Sequence, residues 1–157
     1  MLIYRILVRI LTSRPYKIEG DSMLPALADG QYVLVTRVSS ASLTLQRGDI
    51  VVHHQPMGLE GIYVKRIIGL PDEHVRLANG QIYINDGLLE ENHLDPDPDQ
   101  ADPPIKEWWN GSDEYVVMGD NRPESLDDSR AFGAVPGERI LGRVWFRYWP
   151  PWSWRVI

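Results

Sequence analysis

The sequence predicts a mostly β protein built from antiparallel sheets. Short runs rich in Val, Ile and Tyr recur along its 157 residues, each bounded by turn formers. Two of these runs flank Asn79-Gly80, a strong two-residue hairpin signal. After residue 13, no stretch of useful length repeats its apolar residues with the helical period. Such a chain buries its apolar faces by closing its sheets or packing one on another.

The first 14 residues form a short basic, apolar segment that opens MLIYRILVRIL. Wound as a helix, it places Arg5 and Arg9 on one stripe, with Leu2, Ile3, Ile6, Leu7, Ile10 and Leu11 over much of the rest. A helix of that length spans about 16 Å, short of the ~30 Å bilayer core, so it does not cross a membrane by itself. Two readings stand: an interfacial anchor with its arginines toward phosphates, or a segment packed on the domain's own core. The interrupting arginines argue against a cleaved signal peptide.

Residues 15–157 read as a single β-rich domain. Strands are predicted at Tyr32–Thr36, Asp49–His53, Ile62–Ile68, His74–Leu77, Gln81–Asn85, Tyr115–Met118 and Gly142–Tyr148. Gly30, Arg47-Gly48-Asp49, Gly69-Leu70-Pro71 and Gly119-Asp120-Asn121 separate them. Residues 95–104, DPDPDQADPP, form neither helix nor central strand, because proline breaks both. That stretch reads as a solvated acidic surface loop, since the glycine and terminal glutamate of a calcium loop are missing. The C-terminal WFRYWPPWSW holds four of the six tryptophans. Exposed, it is a membrane-interface belt; buried, it is core and edge packing.

Composition excludes several functions. The chain has no cysteine, hence no disulfide, thiolate metal site or cysteine nucleophile. A net charge of −6 argues against a nucleic-acid partner. No metal-ligand spacing appears, and His53, His54, His74 and His93 sit in no pattern of a histidine-based triad.

Three stretches carry candidate chemistry. In EGDSMLPAL, Ser22 follows a Gly20-Asp21 turn and precedes Met23-Leu24-Pro25. A serine becomes a nucleophile only when a base takes its proton. The chain has three lysines, and Lys65 lies inside the apolar run IYVKRII, on one pleat face with Tyr63 and Ile67. Held dry, its amine loses its charge and can accept a proton; with its stem alone buried, it snorkels to the sheet edge and stays charged. The third stretch is MGDNRPESLDDSRAFG, residues 118–133. It can build a hydroxylic and anionic shell around an amine, or bond to itself as an elaborate turn.

Taken in order, these segments resemble the type I signal peptidases, membrane-associated serine endopeptidases with a Ser/Lys dyad. Gly20-Asp21-Ser22-Met23-Leu24-Pro25 is similar to that family's nucleophile box. Arg47-Gly48-Asp49-Ile50-Val51-Val52 is similar to its next strand box, and Tyr63-Val64-Lys65-Arg66-Ile67-Ile68-Gly69-Leu70-Pro71 to its lysine box. Tyr83-Ile84-Asn85 and Glu90 resemble the following hairpin, and Gly119-Asp120-Asn121-Arg122 through Asp128-Ser129-Arg130 and Gly133 the last box. The resemblance runs from about residue 15 to Pro151.

It implies that family's β-fold, with Ser22 as nucleophile and Lys65 as general base. It further implies that Ser125 orients the amine, and that Asp128 and Arg130 form a supporting ion pair. Ile18, Met23, Leu27, Tyr63 and Val64 would line a groove for small side chains. No cofactor or metal is implied. The partners would be signal-peptide-bearing precursors and a membrane surface, for a monomer whose catalytic domain lies on the extracytoplasmic face.

Three departures stand out. Gly20 replaces a hydroxyl residue that assists the oxyanion in some branches. The last box has one extra residue, so its carboxylate is Asp127 or Asp128; the spacing to Arg130 favours Asp128. Family members typically begin with full transmembrane helices, where this sequence shows the short basic segment. Three rivals remain: a protease that trims one partner's propeptide, a self-cleaving repressor-type protease, and a non-catalytic β-domain that binds peptides or membranes. No space before Ser22 accommodates the repressor's DNA-binding domain, and the pairing of Ser22 with Lys65 argues against the non-catalytic domain.

Overall fold

The computed structural model describes residues 10, 12–37, 44–56, 61–94 and 105–157. Most of the basic N-terminal segment and all of the acidic 95–104 loop lie outside the described residues. Among the described residues, twelve strands are present: β1 (Ser13–Lys17), β2 (Tyr32–Arg37), β3 (Ile50–His54), β4 (Ile62–Gly69), β5 (His74–Ala78), β6 (Gln81–Ile84), β7 (Gly87–Leu88), β8 (Lys106–Trp109), β9 (Glu114–Met118), β10 (Val135–Pro136), β11 (Ile140–Trp149) and β12 (Arg155–Val156). One helical turn, α1 (Ser129–Phe132), lies between β9 and β10.

All strand pairings are antiparallel. An eight-stranded sheet runs β1-β2-β11-β3-β4-β9-β10, with β12 also on β11. A four-stranded sheet runs β7-β6-β5-β8. The Asn79-Gly80 turn joins β5 to β6, and both of its residues have positive φ, as a tight hairpin demands.

Every predicted run forms a strand. The sequence reading missed β1, β8 and three two-residue strands. β1 reads SRPYK, and its Pro15 is tolerated because β1 is the sheet's edge. In β8, Trp108 is buried and Trp109 is 74% exposed; four residues carry too little alternation to be read alone.

Three apolar clusters hold the sheets. Ile18, Met23 and Leu27 pack with Val33, Val35, Ile50, Val52 and Val144, which roots the residues around Ser22 in the large sheet. Ile68, Val116 and Met118 of the large sheet meet Val75, Leu77, Ile82 and Trp108 of the small one. Val51, Ile67 and Val117 face the opposite side with Leu45, Val135 and Ile140. Neighbours such as Val116 and Val117 therefore serve different clusters, as the two-residue period requires. The aromatic C-terminus divides: Trp145 is buried, whereas Trp149, Trp152 and Trp154 are exposed.

Ile82 is fully buried where the two sheets meet. Ile82→Ala should lower stability by about 2–5 kcal/mol and Ile82→Val by about 0.5–1.5 kcal/mol, read as falling urea midpoints at constant slope. Equal midpoints for both variants and the parent would contradict this packing.

Candidate active site

The Ser22 turn is shaped by Gly20 and fastened from two directions. Gly20 has φ +78°, the left-handed region, and its N–H donates to Asp29 Oδ1 at 2.9 Å. The Leu24 N–H closes the turn on the Asp21 carbonyl at 3.1 Å. Behind it, Met23 and Leu27 are sunk in the core and fix the turn to the sheet. From the far side, the Asn121 N–H donates to the Ser22 carbonyl at 3.0 Å, and Asn121 Nδ2 donates to the Asp21 carbonyl at 3.1 Å. Ser22 itself is half-buried.

Lys65 comes from the middle of β4, 43 positions along, and is 3% exposed. Its Nζ lies 3.0 Å from Ser22 Oγ and 3.0 Å from Ser125 Oγ. Burial pushes its pKa below the ordinary lysine value of 10.5. The charges of Asp128, Asp127 and Asp120 pull the other way, and Arg130 adds to the lowering. Neighbouring His53, fully buried on β3, is pushed down to about 4 chiefly by burial, so it is neutral at ordinary pH.

Ser125, Asp128 and Arg130 meet as a unit behind the lysine. Ser125 Oγ donates to Asp128 Oδ2 at 2.7 Å, so its oxygen is left to accept from Lys65. The Gly119 N–H donates to the same Asp128 oxygen at 3.2 Å. Asp128 also caps α1 through the Arg130 N–H at 3.0 Å. The Arg130 guanidinium grips both of its oxygens, Nε on Oδ1 at 3.0 Å and Nη2 on Oδ2 at 2.8 Å. Burial alone raises the Asp128 pKa, but the bonds and charge of Arg130, with the Ser125 hydroxyl, outweigh it and hold the carboxyl below its usual range. Of the two alternative carboxylates, Asp128 is the one against Ser125, while Asp127 lines the cavity.

A cavity of about 460 Å³ opens over Ser22 and Lys65. Its walls include Tyr16, Ile18, Gly20 and Met23 on one side, Ile62, Tyr63 and Val64 on another, and Glu124, Leu126 and Asp127 at a third. Ile18, Met23, Tyr63 and Val64 thus line this cavity. Leu27 does not: it is fully buried in the cluster beneath Ser22 and supports the wall from behind. β9 pairs with β4 only from Arg66 onward, so residues 62–65 present a sheet edge to the cavity.

Two contributors escaped the sequence reading. A Cβ on Gly119 would lie 2.3 Å from Ser125 Oγ and 2.6 Å from the Ser22 carbonyl, so only glycine lets the two serines close on Lys65. Asn121 clamps the Ser22 turn. Both sit in a stretch whose turn-forming composition is visible, yet nothing local in it names Ser22 as their target. Among the described residues, no group of three or more His, Asp or Glu is placed to hold a metal ion. Nor is any helix among them long and apolar enough to cross a membrane.

Known proteins resemble this chain in sequence and fold. The family model described as "Signal peptidase, peptidase S26" matches residues 1–149. The chain is 34% identical over 148 residues to a probable signal peptidase I-2 of Synechocystis sp., covering 91% of this chain and 66% of that protein. It is 36% identical over 150 residues to a signal peptidase I of Leptolyngbya laminosa, covering 91% and 72%. With a signal peptidase IB of Staphylococcus aureus it shares 36% identity over 153 residues, covering 87% and 78%. The crystal structure of a signal peptidase I from Enterococcus faecalis V583 superposes with a TM-score of 0.56 at 30% identity, covering 64% of this chain and 97% of that one. The chain belongs to the signal peptidase family, peptidase S26.

Proposed function

We propose that this chain is a serine endopeptidase that removes N-terminal signal peptides from precursor proteins, with Ser22 as nucleophile and Lys65 as general base. The carrying observation is a buried amine 3.0 Å from the Ser22 hydroxyl oxygen.

Hydrogen placement supports the assignment. The Ser125 proton is committed to Asp128, so Ser125 accepts one N–H of a neutral Lys65. The lone pair of that amine is then free to face Ser22. Ser22 Oγ attacks the scissile carbonyl as its proton passes to Lys65 Nζ. The Ser22 backbone N–H donates to no protein group among the described residues and is free for the developing oxyanion. Lys65, now an ammonium, gives its proton to the leaving amine as the C–N bond breaks. Water then attacks the acyl ester, with Lys65 again taking a proton and returning it to Ser22 Oγ. Gly20 offers no side-chain donor, but the space where a side chain would stand is open, and water can enter there.

The substrate fits as an added strand along residues 62–65. In an extended chain, alternate side chains point the same way. The first and third residues before the cut would then share one face of the cavity that Ile18, Met23, Tyr63 and Val64 line, with room for small side chains. We assign the precursor's membrane as the adjoining surface, with the domain on its extracytoplasmic face and acting as a monomer. Exposed Trp149, Trp152 and Trp154 suit such an interface.

Ser22→Ala should abolish cleavage of a signal-peptide substrate, and Lys65→Ala should slow it by at least about 10²–10⁴-fold, with melting temperatures preserved. Lys65→Arg should fail as well, because arginine stays protonated. Full activity in any of the three would sink the dyad. In the parent enzyme, kcat/KM should rise with pH on a limb centred below the ordinary lysine value, since only the neutral amine accepts the proton. Asp127 favours the ammonium, so Asp127→Asn should move that limb to lower pH. A limb that stays put or moves upward contradicts Lys65 as the base.

A further inference from the structure

We propose that Glu91 is a positioning residue for the Ser22–Lys65 dyad, acting through Arg122, whose guanidinium it holds against the loop from Gly119 to Arg130. The inference rests on the dyad reading above.

Glu91 lies on the chain that leaves β7 of the four-stranded sheet. Its carboxylate takes the Arg122 guanidinium with both oxygens: Nη1 donates to Oε2 at 3.2 Å, and Nη2 donates to Oε1. The two side chains are 10% and 7% exposed. Such a fork fixes direction as well as distance. The rest of Arg122 is committed to the loop. Its Nε donates to the Gly119 carbonyl at 3.0 Å, and its own carbonyl accepts from Arg130 Nη2 at 2.9 Å.

Gly119 and Arg130 are the groups that hold Asp128, and Asp128 aims Ser125 at Lys65. Between Gly119 and Arg122 stands Asn121, which clamps the Ser22 turn. One buried ion pair thus sits behind both halves of the dyad.

Among the described residues, neither Asp120 nor His93 is placed to replace Glu91. Asp120 is taken by Arg66, at 2.7 Å and 2.5 Å. His93 Nε2 lies 3.9 Å from Glu91 and 3.6 Å from Asp120, but an imidazole is neutral or cationic and supplies no negative charge to Arg122. Stripped of Glu91, a buried guanidinium shifts toward water and takes its loop contacts with it. The small sheet also grips the far end of the loop, where Lys106 Nζ donates to the Arg130 carbonyl and Trp108 Nε1 to the Ser129 carbonyl.

The test compares Glu91→Gln and Glu91→Asp with the parent as full chains, well below each melting temperature and with the folded fraction checked by circular dichroism. For Glu91→Gln, kcat on a signal-peptide substrate should fall about 10- to 100-fold with KM little changed. The Lys65 Nζ titration can be followed by ¹⁵N NMR, because the chain has only three lysines. It should move up toward the ordinary lysine value as the amine loses its dry seat. Asp120, Asp127, Asp128, Arg130 and His53, the charged and titratable groups around Lys65, are chemically unaltered in this variant. Glu91→Asp keeps the charge and should recover part of both effects. A Glu91→Gln protein that melts lower yet keeps the parent's kcat and Lys65 titration overturns the proposal. If Glu91→Gln does not fold, an unchanged kcat and titration in Glu91→Asp overturn it equally. A parent that cleaves no signal peptide fails the dyad reading instead, and the NMR titration still decides whether Glu91 sets the seat of the amine.

Discussion

Everything in this fold turns on one desolvated amine. Lys65 stands inside a sheet, with 3% of its surface exposed, and its Nζ touches two hydroxyls. Removing water from an ammonium is costly and favours the neutral amine, so burial is what makes the lone pair available. In the proposed mechanism that demand conflicts with another, since a peptide would have to reach the same atom. The large sheet meets both. β3 pairs with β4 along its length, while β9 pairs only from Arg66 onward. The lysine is therefore walled by strands on one side and lies at an open sheet edge on the other.

A buried base also has to be aimed without being recharged. Carboxylates near an amine hold its proton, and Asp128, the nearest, would do so if it stood alone. Arg130 meets it with two side-chain bonds and offsets its charge at Lys65. The pair keeps the hydrogen-bonding directionality of a carboxylate while Arg130 offsets part of its field. Arg66 with Asp120 and Arg122 with Glu91 repeat the arrangement around the same loop. Breaking any such buried pair leaves an uncompensated charge, with a penalty of about 3–5 kcal/mol. A loop rich in Asp, Asn and Arg is consequently rigid here, although its composition alone would suit a mobile turn.

The strands and the candidate residues Ser22 and Lys65 were legible because their signals are local. Val, Ile and Tyr runs, the Asn79-Gly80 turn and a lysine inside an apolar run can each be seen within ten residues. The ordered boxes then linked Ser22 to Lys65 and Asp128 to Arg130. What stayed hidden depends on which strands become neighbours. The family resemblance implied that Leu27 lines the groove, but the turn after Ser22 carries it into the core. Glu90, in the segment that resembles the family's hairpin, is exposed, whereas its neighbour Glu91 meets Arg122. Asn121 reaches Asp21 across 100 positions, a contact that no periodicity encodes. β1 was hidden for the opposite reason: an edge strand tolerates the Arg, Pro and Lys that a strand signal excludes.

The open edge of β4 carries a final consequence. In the free protein, the cavity admits water to within reach of Ser22 and Lys65. A peptide laid along residues 62–65 as a new strand would replace that water with its own backbone. The same event that brings a carbonyl to Ser22 would then dry the amine further and strengthen each hydrogen bond around it. A side chain too large for the wall formed by Ile18, Met23, Tyr63 and Val64 would hold the strand away from the edge and leave the water in place. Selection for small residues and activation of the base would on this reading be one physical act, because both depend on how closely the substrate strand can approach β4.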